Sequence, residues 1–226
     1  MPNFLCSALL FDLDGVLVDS TPAIIEVWSA WSRVNGVEAE KVMSVMHGRR
    51  SVEVLQVVAP HLDAMTEVKA IEEAITNYKD GTVTIRGAAG LLQSLPNGRW
   101  CIVTSGLRAF ATARLRAADL PVPKVLVCAD DVVNGKPDPE PYLKAAQLLS
   151  VPARECLVVE DAPAGIRAAH AGGMKVIGIT TTYPHEDLCE ADFVIETLAQ
   201  VRISNLGNHL NVEIAERPVS PFIADS

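Results

Sequence analysis

The chain has 226 residues, a formal net charge of −9 at pH 7 and a sequence pI near 5.0. Hydrophobic residues make up 49% of it and charged residues 21%, a balance typical of a globular protein with a buried core. The acidic balance argues against nucleic acid or an anionic membrane as a partner, because either would require a basic face.

The sequence also argues against a membrane span, a leader peptide and a cysteine-based site. The longest uninterrupted apolar run, at 125–129, is too short to cross a bilayer, and the opening MPNFLCSALLFDLDG lacks the basic segment of a signal peptide. The five cysteines are scattered without a CxxC pair, which indicates reduced thiols rather than disulfides or a zinc site. We therefore expect a cytoplasmic protein. We also expect a monomer, because no segment forms an exposed apolar seam.

Short apolar runs alternate with helical patterns along most of the chain. The runs lack strict polar alternation, so each is predicted to be a strand buried on both faces. The predicted strands lie at 4–11, 100–103, 124–129, 156–159, 175–179 and 193–195. The helical patterns between them lie at 88–95, 108–118, 140–149 and 164–171. This order predicts an α/β fold, a Rossmann-like doubly wound parallel sheet.

The stretch 19–84 departs from this alternation because it contains no convincing strand. Its first helix is predicted to start at Ser20 or Thr21, with a proline in the first turn. Trp28 and Trp31 lie on the apolar face of that helix and are predicted to be core residues. Further helices are predicted at 40–46, 51–58 and 66–79. We predict a small all-helical cap inserted after the first strand.

These patterns predict the domain organisation of the whole chain. Residues 1–18 and 85–199 are predicted to form the α/β core, with 19–84 as the helical cap. Two short segments around LGNH predict a terminal β-hairpin at 200–216. The last residues, 217–226, contain two prolines and little periodicity, and are predicted to be a frayed tail.

Two carboxylates follow the first predicted strand. Asp12 and Asp14 are two residues apart, so in an extended segment their side chains project from the same face. Carboxylates at the end of an apolar strand are unfavourable unless they are paired, solvated or bound to a cation. Gly15 then allows the chain to turn away from the sheet. By itself this pattern is also typical of a solvated turn.

Polar residues follow three later segments as well. Thr104 and Ser105 follow the second strand, Lys136 follows the third, and Glu160 and Asp161 end the fourth. Because ligands bind at the carboxyl ends of parallel strands, we expect these side chains to meet. Carboxylates combined with a lysine and a hydroxyl can bind a divalent cation and a phosphoryl group.

Together, the motifs FDLDG, VTSG, GKPDPEPY and VVED resemble those of the haloacid dehalogenase superfamily of aspartate-nucleophile phosphohydrolases. The resemblance extends from residue 10 to about residue 179. The helical insertion is similar to the mobile cap of the β-phosphoglucomutase-like branch. Within that branch, MHGRRS and VVEDAPAGI look closest to phosphatases acting on 2-deoxyglucose 6-phosphate, glycerol phosphates and other small sugar or polyol phosphates. The resemblance therefore implies a Mg²⁺-dependent phosphatase whose partner is a small phosphorylated sugar or polyol.

The resemblance also implies catalytic and phosphate-binding roles. Asp12 would be the nucleophile that forms an aspartyl-phosphate. Asp14 would protonate the leaving alcohol and then deprotonate the hydrolytic water. Thr104 and the backbone amide of Ser105 would hold phosphoryl oxygens, and Lys136 would neutralise their charge. Such a set suits phosphoryl transfer, which mostly requires positioning and charge compensation.

A Mg²⁺ site is implied by the same resemblance. Asp12, Asp161 and the main-chain carbonyl of Asp14 would bind the ion, with Glu160 as a water-mediated partner. One Mg²⁺ and one lysine would reverse the local potential, so an acidic protein could still attract an anionic substrate.

In the cap, His47, Gly48 and Arg50 match an HGxR pattern of sugar and glycerol phosphatases. The resemblance makes Arg50 and His47 candidates for contact with the substrate. Each also has a simpler interpretation, since a solvated arginine or histidine at a helix end is common.

Two alternative functions stay open. One is a sugar phosphomutase, whose relatives carry a histidine in the early cap where this chain has Ile24; that difference favours a hydrolase. The other is a non-catalytic phosphate-binding regulator. Such a protein would have no physical need for the full set Asp12, Asp14, Lys136 and Asp161.

Overall fold

A computed structural model describes residues 2–46, 48–78 and 82–215 of the chain. The predicted tail at 217–226 lies outside these residues. Six parallel strands form the central sheet in the order β6-β5-β2-β7-β8-β9, which confirms the doubly wound α/β fold. They are β2 (Ala8–Phe11), β5 (Trp100–Val103), β6 (Leu126–Val127), β7 (Cys156–Glu160), β8 (Lys175–Ile179) and β9 (Phe193–Ile195).

Eight α-helices surround or cap this sheet within the described residues. Four belong to the predicted cap stretch 19–84: α1 (Thr21–Asn35), α2 (Ala39–Met46), α3 (Ser51–Val58) and α4 (Ala64–Thr76). Four more alternate with the strands: α5 (Ala88–Ser94), α6 (Arg108–Ala117), α7 (Glu140–Leu149) and α8 (Pro163–Ala171). None of the helices in the described ranges is both long and apolar enough to cross a bilayer.

Both faces of the central strand β2 are covered, which explains the missing polar alternation. Leu9 and Phe11 belong to the apolar core on one side of the sheet, and Ala8 and Leu10 belong to the core on the other. All four side chains are fully buried. A strand buried in this way has no position left for a polar side chain until it reaches the end of the sheet.

The predicted strand at 4–11 is in fact two strands, which corrects the prediction of one. β1 (Asn3–Cys6) pairs antiparallel with β11 (His209–Ile214), which also pairs with β10 (Val201–Leu206). Ser7 separates β1 from β2, and its backbone N–H donates to the carbonyl of Glu155 at 2.7 Å. The apolar pattern hides this break because both halves contribute side chains to the same core. The third predicted strand is also shorter than expected, since β6 covers only Leu126–Val127.

The helices α1 to α4 enclose an apolar cluster of their own. Trp28 and Trp31 are buried in it, with their rings edge to face and their centroids 5.5 Å apart. Two short strands, β3 (Val18–Asp19) and β4 (Val83–Thr84), pair antiparallel where the chain leaves the core and returns. Ser20 precedes α1, but its hydroxyl makes no cap bond; it donates to Asp14 instead.

Candidate active site

The sheet topology brings the predicted polar residues to one edge. The register pairs Phe11 with Val159 of β7 and Ile102 of β5, so the residues that follow these strands are neighbours. Of the predicted residues, Asp12, Asp14, Thr104, Ser105 and Asp161 line a single cavity of about 80 Å³ between the sheet edge and the cap. This is small beside the roughly 300–1,000 Å³ of sites for drug-sized ligands, which favours a small leaving group.

Lys136 lies beneath this cavity, and only 1% of its surface is exposed. Its ammonium donates to Asp12 Oδ1 at 2.5 Å, to Glu160 Oε1 at 2.6 Å and to the carbonyl of Val103 at 3.2 Å. Burial alone would lower the pKa of Lys136, but the two carboxylates outweigh burial and raise it. The side chain is therefore a fixed positive charge next to Asp12.

Glu160 is fully buried, and both of its carboxylate oxygens accept hydrogen bonds from protein groups. Besides Lys136, it accepts hydrogen bonds from the Tyr142 hydroxyl at 2.8 Å and from the backbone N–H groups of Asp161 and Ala162 at 2.9 and 3.0 Å. Gly165 gives it room, since a Cβ there would lie 1.6 Å from Glu160 Oε1. Glu160 therefore positions both Lys136 and the turn that carries Asp161.

Asp12 and Asp161 are two desolvated carboxyl groups whose charges repel. Burial raises the pKa of Asp12 to about 7, although Lys136 opposes this. Burial, together with Glu160 and Asp12, raises the pKa of Asp161 well above its ordinary value. Gly15 adopts a φ of +85° beside Asp161, where a Cβ would lie 2.0 Å from Oδ2.

These two carboxylates suit a divalent cation, because a positive charge between them would offset both their repulsion and their desolvation. Within the described ranges, no group of three or more histidine, cysteine, aspartate or glutamate side chains is arranged to hold a metal. Backbone oxygen and water commonly complete the coordination of Mg²⁺ beside one or two carboxylates.

Asp14 is held on both sides. Its Oδ1 accepts from the Ser20 hydroxyl at 2.5 Å, and its Oδ2 accepts from Arg114 Nη1 at 2.8 Å. Arg114 also donates through Nη2 to Glu72 at 2.5 Å, and Glu72 accepts from the Ser51 hydroxyl at 3.2 Å. Through Arg114 and Glu72, these contacts link Asp14, which is predicted to act as both acid and base, to the cap.

Sequence analysis missed Arg114 and Glu72, although a signal for both was present. Each is a charged residue on the buried face of its helix: Arg114 beside Ala111 and Leu115, and Glu72 beside Ile71 and other apolar residues. A charge in an apolar stripe is rare unless it is paired, so two such charges on different helices point to each other.

The predicted cap residues are placed differently from one another. His47 lies outside the described residues. Gly48 adopts a φ of +74°, and its carbonyl accepts from the Ser105 hydroxyl at 3.0 Å, so this turn contacts the core. Arg50 does not line the cavity, in contrast to its predicted contact with substrate. Its guanidinium pairs with Glu53 at 2.5 Å and donates to backbone carbonyls at 132 and 133, while Arg49 lines the cavity instead.

Comparison with known proteins identifies a matching family and several relatives. The family model described as haloacid dehalogenase-like hydrolase matches residues 6–173. The chain is 38% identical over 208 residues to hexitol phosphatase A of Escherichia coli K12, covering 90% of this chain and 96% of that protein. It is 35% identical to glycerol-1-phosphate phosphohydrolase 2 of Saccharomyces cerevisiae (87% and 84% covered). It is also 37% identical to 2-deoxyglucose-6-phosphate phosphatase 2 of the same yeast (90% and 92% covered).

A solved structure shows the same architecture. The crystal structure of a hydrolase from Pseudomonas syringae superimposes with a TM-score of 0.76 at 28% sequence identity. The match covers 84% of this chain and 94% of that one, so it extends over most of both chains. The family resemblance inferred from the four sequence motifs is thereby confirmed.

Proposed function

The chain belongs to the haloacid dehalogenase-like hydrolases, and we propose that it is a Mg²⁺-dependent phosphatase for small sugar or polyol phosphates. The observation that carries the proposal is the contact of Lys136 with Asp12 beneath the cavity that Asp14, Thr104 and Asp161 also line. Relatives named as hexitol, glycerol-1-phosphate and 2-deoxyglucose-6-phosphate phosphatases support the substrate class.

In the proposed first step, a carboxylate oxygen of Asp12 attacks the phosphorus atom and the bond from phosphorus to the leaving alcohol breaks. Asp14 gives its proton to the alcohol oxygen, so the leaving group departs neutral. Lys136, the Thr104 hydroxyl and the Ser105 amide hold the charge of the phosphoryl oxygens. An aspartyl-phosphate on Asp12 results.

In the second step, Asp14 takes a proton from a water molecule, and that water attacks the phosphorus of the aspartyl-phosphate. The bond between phosphorus and Asp12 breaks, and inorganic phosphate leaves with the nucleophile restored. Ser20 and Arg114 hold Asp14 throughout, so the same carboxyl group can serve both half-reactions.

We assign Mg²⁺ to Asp12, Asp161 and the backbone carbonyl of Asp14. When bound, the ion supplies positive charge that offsets the carboxylates and the phosphoryl oxygens. Glu160 contributes indirectly, because its oxygens are already used by Lys136, Tyr142 and two backbone N–H groups.

A sugar phosphomutase is the second candidate. It is favoured by Arg49, a cation in the cavity wall that could hold a second phosphate. It is disfavoured by Ile24, since this side chain in the same wall carries no group able to exchange a proton with the sugar. The balance supports hydrolysis.

The test is phosphate release from a panel of sugar and polyol phosphates, with Mg²⁺ and with chelator, for wild type and Asp12→Asn. We expect release that requires Mg²⁺ and falls by about 10⁴-fold or more in Asp12→Asn. Asp187→Asn, which removes an exposed carboxylate, should match wild type. Isomerisation of a hexose phosphate primed by a bisphosphate, without net phosphate release, would overturn the hydrolase in favour of the mutase.

A monomeric state, a cytoplasmic location and the absence of nucleic-acid or membrane partners stay predictions from the sequence. So do the domain boundaries and the role of His47.

A further inference from the structure

Arg114 and Glu72 form a buried ion pair across the boundary between core and cap. Arg114 belongs to α6 of the core and Glu72 to α4 of the cap, and their side chains are only 3% and 5% exposed. Both residues line the cavity above Asp12. In the proposed chemistry Arg114 holds Asp14, but the burial of the Glu72 carboxylate beside it has no role there and requires another explanation.

Arg114 and Glu72 both have hydrogen-bonding groups that their described contacts do not use. A guanidinium carries five N–H donors, and the described contacts of Arg114 use one to Asp14 and one to Glu72. Its Nε is buried and has no hydrogen-bond partner among the described residues. The Glu72 carboxylate accepts from Ser51 and Arg114, which leaves lone pairs on both oxygens.

The cap wall around Glu72 is mixed: besides the polar side chains of Thr21 and Ser51 and the cation Arg49, it contains four apolar side chains. Ile24, Trp28, Met46 and Ile75 line it with apolar surface. A donor and an acceptor side by side, next to this apolar surface, match a hydroxyl group, which can accept from a guanidinium while donating to a carboxylate.

We propose that Arg114 and Glu72 recognise a hydroxyl group of the leaving alcohol, which restricts the substrates to phosphate esters that carry a hydroxyl near the esterified carbon. The proposal rests on the phosphatase function above and refines its substrate class. Because the two partners come from core and cap, a bound hydroxyl contacts both parts of the molecule at once. A simple alkyl chain would bury the same groups without partners, which a site built for hydrogen bonding strongly disfavours.

The experiment compares glycerol 1-phosphate with 1-propyl phosphate, esters of similar size with and without hydroxyl groups. In wild type we expect kcat/KM to be at least about tenfold higher for glycerol 1-phosphate. In Glu72→Gln that preference should shrink by about tenfold, mainly through a higher KM for glycerol 1-phosphate, with a smaller loss on propyl phosphate. Glu73→Gln, an exposed neighbour on the same helix, is the matched control.

Arg114→Lys provides a second variant that retains the charge but loses the planar set of donors. It should lower the preference for glycerol 1-phosphate as Glu72→Gln does. Thermal melts of both variants separate a folding defect from a change in selectivity, and the wild-type comparison needs no variant at all.

Equal activity of wild type on the two esters would overturn the inference. So would an equal loss on both esters in Glu72→Gln, because a purely structural clamp would lower both together. If wild type released no phosphate from any ester, the proposed function itself would fail, and that result is distinguishable from either of these.

Discussion

The core wall and the cap wall of the cavity are built by different means. On the core side, Asp12, Thr104 and Asp161 each follow a parallel strand directly, so the sheet register alone brings them together. Where the cap meets the core, Glu72 of the cap and Arg114 of the core lie 42 residues apart on helices that meet only in the folded chain. The proposed reaction therefore depends on short contiguous motifs, whereas the proposed selectivity depends on how two helices are placed.

Asp14→Asn should give the largest effect after Asp12→Asn, because Asp14 belongs to the core wall and contacts Arg114. We expect kcat for a polyol phosphate to fall by about 10²–10⁴-fold, since asparagine cannot transfer the proton. Activity on p-nitrophenyl phosphate should fall less, because its leaving group needs little protonation. Stabilisation by Mg²⁺ should persist, as the assigned contact is a backbone carbonyl. An equal loss on both substrates would argue against the acid role.

Lys136→Met tests whether activity and stability depend on the buried ammonium group of Lys136. Asp12 and Glu160 would face each other without a positive charge, so we expect kcat/KM to fall by about 10²–10³-fold. The free energy of unfolding in urea should drop by about 3–5 kcal/mol at neutral pH. Lys69→Met, at an exposed cap position, should change neither quantity. Full activity in Lys136→Met would contradict the assigned phosphate-binding role.

The carboxyl groups of the core wall predict a pH-dependent response to Mg²⁺. The pKa of Asp12 is raised from 3.8 to about 7, so the metal-free folded state binds this proton more tightly than the unfolded state. The contribution of Asp12 to stability is therefore greatest below about pH 4 and is lost as pH rises through 7. Mg²⁺ requires the carboxylate, so its affinity should fall about tenfold per pH unit below 7.

Melting temperatures with and without Mg²⁺ at pH 6 and pH 8 measure this response. The increase in Tm caused by Mg²⁺ should be larger at pH 8. Asp12→Asn removes the titrating group and should reduce the difference between the two pH values. An equal increase at both pH values in wild type would show that Asp12 does not titrate in this range.

Replacing Arg49 or Arg50 of the cap should give the smallest effects, and the two effects should differ in kind. Arg49 lines the cavity, so Arg49→Ala should raise KM by about three- to tenfold through one lost charged contact. Arg50 pairs with Glu53 and with core carbonyls, so Arg50→Ala should mainly lower stability, by about 1–2 kcal/mol. Steady-state kinetics and urea unfolding of both variants distinguish these outcomes. The reverse pattern would restore Arg50 as the substrate contact.

The parallel sheet could be predicted from the sequence because β2, β5, β7 and β8 lie in apolar runs bounded by polar residues. The sequence did not reveal the break at Ser7, since apolar residues on either side of it enter the same core. Nor did it indicate the partner of Asp14: Ser20 was expected to cap α1, and only the folded position of Arg114 accounts for the second contact. Such contacts depend on tertiary placement, which local periodicity does not encode.

The position of β2 at the centre of the sheet has a consequence for synthesis. β2 leaves the ribosome early, but its two neighbouring strands begin only at residues 100 and 156. The strand that pairs with β1 is synthesised later still, at residues 209–214. Contacts within the cap cluster, in contrast, lie largely between residues 23 and 75. A nascent chain shorter than about 160 residues would therefore carry Asp12 after a strand with at least one unpaired apolar edge, the kind of surface that recruits other chains.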